Sequence, residues 1–104
     1  LKKAEQMSFK TVQAEPKNAT YLDTYAWILF MQKRFTEAKI YVDQAIKNDT
    51  DSVMNSVILE HAGDIHAQLG DTKTALYYWH KALKIGSGNT AILEKKIRLK
   101  KYIK

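Results

Sequence analysis

Cysteine is absent, proline occurs once and glycine four times. Without cysteine there are no disulfides, thiolate zinc sites or cysteine nucleophiles. The scarcity of chain breakers favours helices over a turn-rich β fold. No apolar run reaches the roughly 18 residues that a membrane span needs, and Tyr25 to Met31 is the longest candidate. Enzyme signatures are missing too. There is no glycine-rich phosphate loop, no nucleophile elbow and no paired-histidine zinc motif. The expectation is a protein that is not an enzyme, with no cofactor, no metal and no small-molecule substrate.

What is present is an ordinary globular balance, 45% hydrophobic and 27% charged. The net charge is +6. Residues 94–104 hold six basic groups (Lys95, Lys96, Arg98, Lys100, Lys101 and Lys104) against Glu94, a net of +5. The rest of the chain holds eleven basic and ten acidic groups, a net of +1. A basic end of this kind suits either an acidic surface or the negative end of a helix dipole. The second reading is preferred, with the lysines in solvent, so neither nucleic acid nor membrane is the expected partner.

The sequence repeats internally. The 28 residues from Leu22 align without gaps on the 28 from Leu59, at an offset of 37. Leu22, Tyr25, Ala26 and Leu29 recur at i, i+3, i+4 and i+7, one stripe of a helix. After the polar break from Gln32 to Arg34, Ala38, Val42, Ala45 and Ile46 form a second stripe. In the second repeat Leu59, Ala62, Gly63 and His66 are followed by Ala75, Trp79, Ala82 and Leu83. Small residues are expected to face each other, Ala26 against Ala38 and Gly63 against Ala75, so that each helix pair packs closely. Gly70 is suited to end its helix in the left-handed conformation. Residues 2–14 read as a second-type helix, with Ala4, Ser8, Thr11 and Val12 in the slots of Ala38, Val42, Ala45 and Ile46. Residues 90–100 begin another first-type helix, with Leu93 in the slot of Leu22. Gly86 to Asn89 reads as a helix exit and an N-cap. The connection from Asn48 to Val53 is the one irregular stretch.

These positions resemble the tetratricopeptide repeat, whose period is about 34 residues. Pro16 matches the proline that closes a repeat, Leu22 and Leu59 stand for its first tryptophan, and His66 stands for its tyrosine. Thr50 and Ser87 replace the later closing prolines. The resemblance implies an all-α fold, a right-handed superhelix of about six antiparallel-stacked helices forming one domain over 1–104. Residues 1–16 would be the second helix of a preceding repeat, 19–52 and 56–89 two repeats, and 90–104 a capping helix with a basic tail. The stretch from Glu60 to Leu83 is similar to the last full repeat of long bacterial arrays. The chain is accordingly expected to be the C-terminal part of a larger bacterial protein, in the cytoplasm or the periplasm and envelope.

In such repeats the first helices line a concave groove, and the function the resemblance implies is a scaffold that holds a peptide or partner protein there. The groove-facing candidates are Asp23, Trp27, Phe30 and Met31 in the first repeat, and Glu60 and Asp64 in the second. Trp27 and Phe30 are large apolar residues off the packing stripe; either they are interface anchors, since aromatics dominate binding energy there, or they pack against a preceding repeat or a neighbouring helix. The acids would favour a basic, apolar peptide, although the preferred reading is that they are ordinary solvated carboxylates. Asp23 and Glu60 stand where a carboxylate clamp would need lysine, and Trp27 and Asp64 where it would need asparagine, so no clamp is expected. His61, Asp64 and His66 make a poor metal set because His66 falls on the packing stripe. Two rival functions remain. The segment is a structural cap of a longer repeat array or self-associates through its first helix, or its basic tail touches nucleic acid or anionic membrane.

Overall fold

The computed structural model describes residues 2–49, 56–86 and 90–102. The described residues form six helices. The chain divides into two compact units, Leu1–Asp49 and Thr50–Lys104. The irregular connection after Asn48 from Thr50 to Val53, the Ser87 to Asn89 cap, the closing-proline positions Thr50 and Ser87, and the last two residues lie outside the described residues.

The first unit holds α1 (Lys2–Ala14), α2 (Ala19–Met31) and α3 (Phe35–Asn48). Asn18 caps α2 by accepting a 3.0 Å hydrogen bond from the Tyr21 amide, satisfying a donor that the first turn leaves open. At the other end Lys33 takes the left-handed conformation, φ 62°. The amides of Lys33 and Arg34 then bond back to the carbonyls of Phe30 and Leu29, both at 2.9 Å, and close the helix. The α2–α3 pair buries Leu22, Tyr25, Ala26, Leu29, Ala38, Val42 and Ala45. On α1 only Val12 is buried, while Ala4 is exposed and Ser8 and Thr11 are half-buried. The expectation that these residues occupy core slots as their counterparts do is therefore met by Val12 alone.

The second unit holds α4 (Ser56–Gln68), α5 (Thr72–Ile85) and α6 (Thr90–Leu99). Gly70, φ 83°, repeats the corner made by Lys33, and Asp71 bonds back to His66 at 2.9 Å as Arg34 does to Leu29. Asp71 also caps α5 through the Thr74 amide. Leu59, Ala75, Trp79, Ala82 and Leu93 form the core, with Leu76, Leu83 and Ile97 packed around it. Gly63 lies against Trp79. A Cβ placed there would run into the Trp79 indole, so the missing side chain makes room for that ring.

Candidate partner-binding surface

The sequence singles out the same helix face in both units, and the structure treats it differently in each. On α2, Trp27 and Phe30 lie one turn apart and their rings stack, with centroids 4.5 Å apart and planes at 16°. Phe30 then meets Phe35, at the start of α3, at 5.3 Å. Phe30 is only 4% exposed, which corrects the expectation that it offers its face to a partner. It is the floor on which Trp27 rests. Trp27 is half-buried, and Met31, one turn further on, is 47% exposed. Asp23 is buried. What this face offers solvent is therefore a rigidly backed indole beside a flexible thioether. Aromatic–aromatic packing of this kind fixes the indole, and methionine adapts to varied shapes.

On α4 the acids have turned inward. Asp64 is 2% exposed, which corrects its reading as an open groove carboxylate. Its Oδ1 accepts a 3.0 Å bond from Trp79 Nε1 of α5 and lies 2.8 Å from Lys96 Nζ of α6. Glu60 joins from the next turn, 2.7 Å from the same ammonium. Lys96 is itself buried, and this corrects its placement among the solvated lysines of a basic tail. The Tyr102 ring lies 5.3 Å from the Lys96 ammonium. Asp64 thus ties three helices together.

Burial is the largest influence on the Asp64 carboxyl and pushes it up to about 6, against the pull of Lys96 and Trp79. For Lys96 burial pulls downward, but the two carboxylates outweigh it and leave the ammonium above its usual 10.5.

Sequence reasoning passed over Arg34. Its guanidinium bonds Glu37 and Glu5, both at 2.6 Å, and joins the start of α3 to α1. The hydrogen bond to Arg34 is the main reason the carboxyls of Glu37 and Glu5 fall below their ordinary value. The signal lay in Glu5 and Glu37, but the Glu5 pairing spans 29 residues and shows in no local spacing.

His66 is buried, 3.7 Å from Asp71 and 5.6 Å from the Tyr78 ring. Among the described residues no group of three or more metal-ligating side chains is placed to hold an ion. Nor is any helix long and apolar enough to cross a membrane.

Paired helices, repeated corners at Lys33 and Gly70, and a repeated packing stripe give an all-α helical-repeat fold like that of tetratricopeptide domains. The N-terminal domain of stress-induced protein-1 (STI-1) from C. elegans is similar in structure, with a TM-score of 0.71. The two are 20% identical, and the match covers 89% of this chain and 75% of the worm chain. That structure is an N-terminal domain from an animal, so it adds nothing to the bacterial and C-terminal expectations. No family model matches the chain, and no curated protein matches it.

Proposed function

We propose that the chain is a protein-interaction scaffold that binds a peptide or partner protein on the groove-facing side of its first-type helix α2, with Trp27 and Met31 as anchors. The observation that carries this is the Trp27 ring stacked on the buried Phe30, beside an exposed Met31. A half-buried indole with a fixed orientation loses little freedom on binding and buries a large apolar area, as interface anchors do. Phe30 supports it from within by seating Trp27. Helical repeats offer extended faces for such partners, and this is the general use of the architecture.

The test is capture of partners from the source cell's lysate, with the chain compared against a Trp27→Ala, Met31→Ala double variant. Phe30 is left intact, because truncating a buried phenylalanine costs about 3–5 kcal/mol and would confuse folding with binding. A specific protein held by the wild type and lost by the variant supports the reading. Equal capture by both refutes the anchors. Tryptophan emission gives a second readout, since Trp27 and Trp79 are the only two tryptophans and Trp79 is fully buried.

A further inference from the structure

The outward face of α5 carries positive charge around one exposed ring. Tyr77, His80, Lys81 and Lys84 follow Lys73 by 4, 7, 8 and 11 residues, so all five share one side of the helix, away from the buried Ala75, Trp79 and Ala82. Lys73, His80 and Lys84 are exposed, Lys81 is half-buried, and Tyr77 is 58% exposed. α5 contains no carboxylate. We infer that this stripe binds single-stranded nucleic acid, with a base stacked on Tyr77 and phosphates on Lys73, Lys81 and Lys84.

The internal repeat supplies a control. α3 takes the aligned place in the first unit, and its residues in the slots of the stripe are Thr36, Ile40, Asp43, Gln44 and Lys47. α3 as a whole balances Lys39 and Lys47 with Glu37 and Asp43. The inward stripes correspond, Ala38, Val42 and Ala45 to Ala75, Trp79 and Ala82, and all six residues are fully buried. Packing of this helix pair therefore needs neither lysine nor tyrosine on the outer side. A face that turns from neutral to basic while the buried stripe repeats points to what lies outside the helix.

Folding sharpens the charge. Lys96 is taken up by Asp64 and Glu60 inside the second unit. The described residues of that unit then keep seven basic groups, three on α5 and four from Lys95 onward, against Asp71 and Glu94. In the described residues of the first unit eight basic groups meet six carboxylates. Asp71 stands just before α5, where its carboxylate accepts the Thr74 amide and caps the helix.

Geometry selects the polyanion. From Lys73 to Lys84 the stripe runs about 16 Å along the helix axis, and a row of ammonium groups of that length suits a run of phosphates. The Lys81 ammonium lies 5.5 Å from the Tyr77 ring centroid and 3.5 Å from its hydroxyl oxygen. The Tyr78 ring braces Tyr77 edge-on, with centroids 5.3 Å apart. An exposed, braced ring beside a cation gives any base a face to stack on and its phosphate a partner. An anionic bilayer would need an apolar helix face to insert, and that face of α5 is buried in the core. An acidic peptide matches the lysines, but aspartate and glutamate have no flat face to set on Tyr77.

The experiment titrates the whole chain into a fluorescein-labelled oligothymidine of about 12 nucleotides and reads anisotropy. We expect saturable binding whose logarithm falls linearly with the logarithm of salt concentration, with a slope of about −2 for three single-strand phosphate contacts. Lys84→Gln should make that slope shallower by about 0.7. Tyr77→Ala should weaken binding by about 5- to 150-fold with the slope unchanged, while Tyr77→Phe keeps the ring and the affinity. The triple variant Lys73→Thr, Tyr77→Ile, Lys81→Gln gives α5 the outward residues of α3 and should abolish binding. Circular dichroism checks that each variant keeps its helices. Trp27→Ala, Met31→Ala should bind the oligonucleotide as the wild type does, so this site and protein capture at α2 are tested apart. The inference is overturned by absence of saturable binding at low salt, or by a Tyr77→Ala variant that binds as well as the wild type. Binding lost on replacing Lys95, Lys100 and Lys101 with glutamine but kept in the α5 triple variant would give the nucleic acid to the basic end instead. Equal affinity for polyglutamate would give the stripe to an acidic protein, and equal affinity for phosphatidylserine vesicles would give it to a membrane.

Discussion

Lys33 and Gly70 occupy the same corner in the two repeats, with φ of 62° and 83°. Glycine adopts that conformation freely, whereas a side chain there costs about 1–2 kcal/mol. Lys33→Gly should therefore stabilise the first unit by about 1 kcal/mol in urea unfolding, and Gly70→Ala should destabilise the second by a similar amount. Gly63 is constrained by space, not by backbone angle. Gly63→Ala forces a Cβ into the Trp79 ring and should cost about 1–3 kcal/mol. Combining it with Trp79→Val recreates the Ala26–Val42 pairing. The double variant should be less destabilised than the two single effects added, by about 0.5–3 kcal/mol. Strict additivity in that cycle would mean the two positions do not share one volume.

Among the elements, α6 depends most on a single polar contact. Its Lys96 is buried against Asp64 and Glu60, and removing one partner of a buried ion pair strands the other. Lys96→Met should cost about 3–5 kcal/mol and loosen α6, seen as lost amide-exchange protection over residues 90–99. Asp64 makes the same element respond to pH. Its folded pKa of about 6 lies above the ordinary 3.8, so its contribution to stability is complete below about pH 3.8 and is lost as pH rises through 6. A tenfold difference in proton affinity between the folded and unfolded chain is worth about 1.4 kcal/mol. Between pH 6.5 and 4.5 wild-type stability should therefore gain on the order of 1–2 kcal/mol relative to Asp64→Asn, measured by urea unfolding at each pH. Glu5 and Glu37 act oppositely, since their carboxyls are lowered, and what they contribute is lost only at still lower pH. At the start of α2, Asn18→Ala should cost about 1 kcal/mol by removing the cap to Tyr21.

Across the whole molecule the charge is uneven, and folding changes what it offers. Lys96 leaves the set of basic groups at the C-terminal end, while Lys95, Arg98, Lys100 and Lys101 stay at least partly in solvent. Replacing Lys95, Lys100 and Lys101 with glutamine should leave capture through Trp27 and Met31 unchanged. A partner lost with these lysines, with affinity falling steeply as salt is added, would give the binding to the basic end instead.

Periodicity alone was enough for the helices. The stripes from Leu22 and Ala38, and their copies from Leu59 and Ala75, repeat every 3 or 4 residues because that spacing puts them on one helix face. Gly70 and Pro16 marked helix ends because their backbone limits are local. The identity of what lies across each face was not legible. Phe30 and Trp27 look alike in sequence, but the turn into α3 brings Phe35 onto one and leaves the other half open. Asp64 and Lys96 read as two solvated charges 32 residues apart. Only the packing of α6 sets them against each other and Trp79, where removal from water makes each charge depend on the other. Local spacing determined the helices and their inward stripes. Tertiary structure decided which of the remaining side chains face solvent, because burial depends on neighbours that spacing along one helix does not specify.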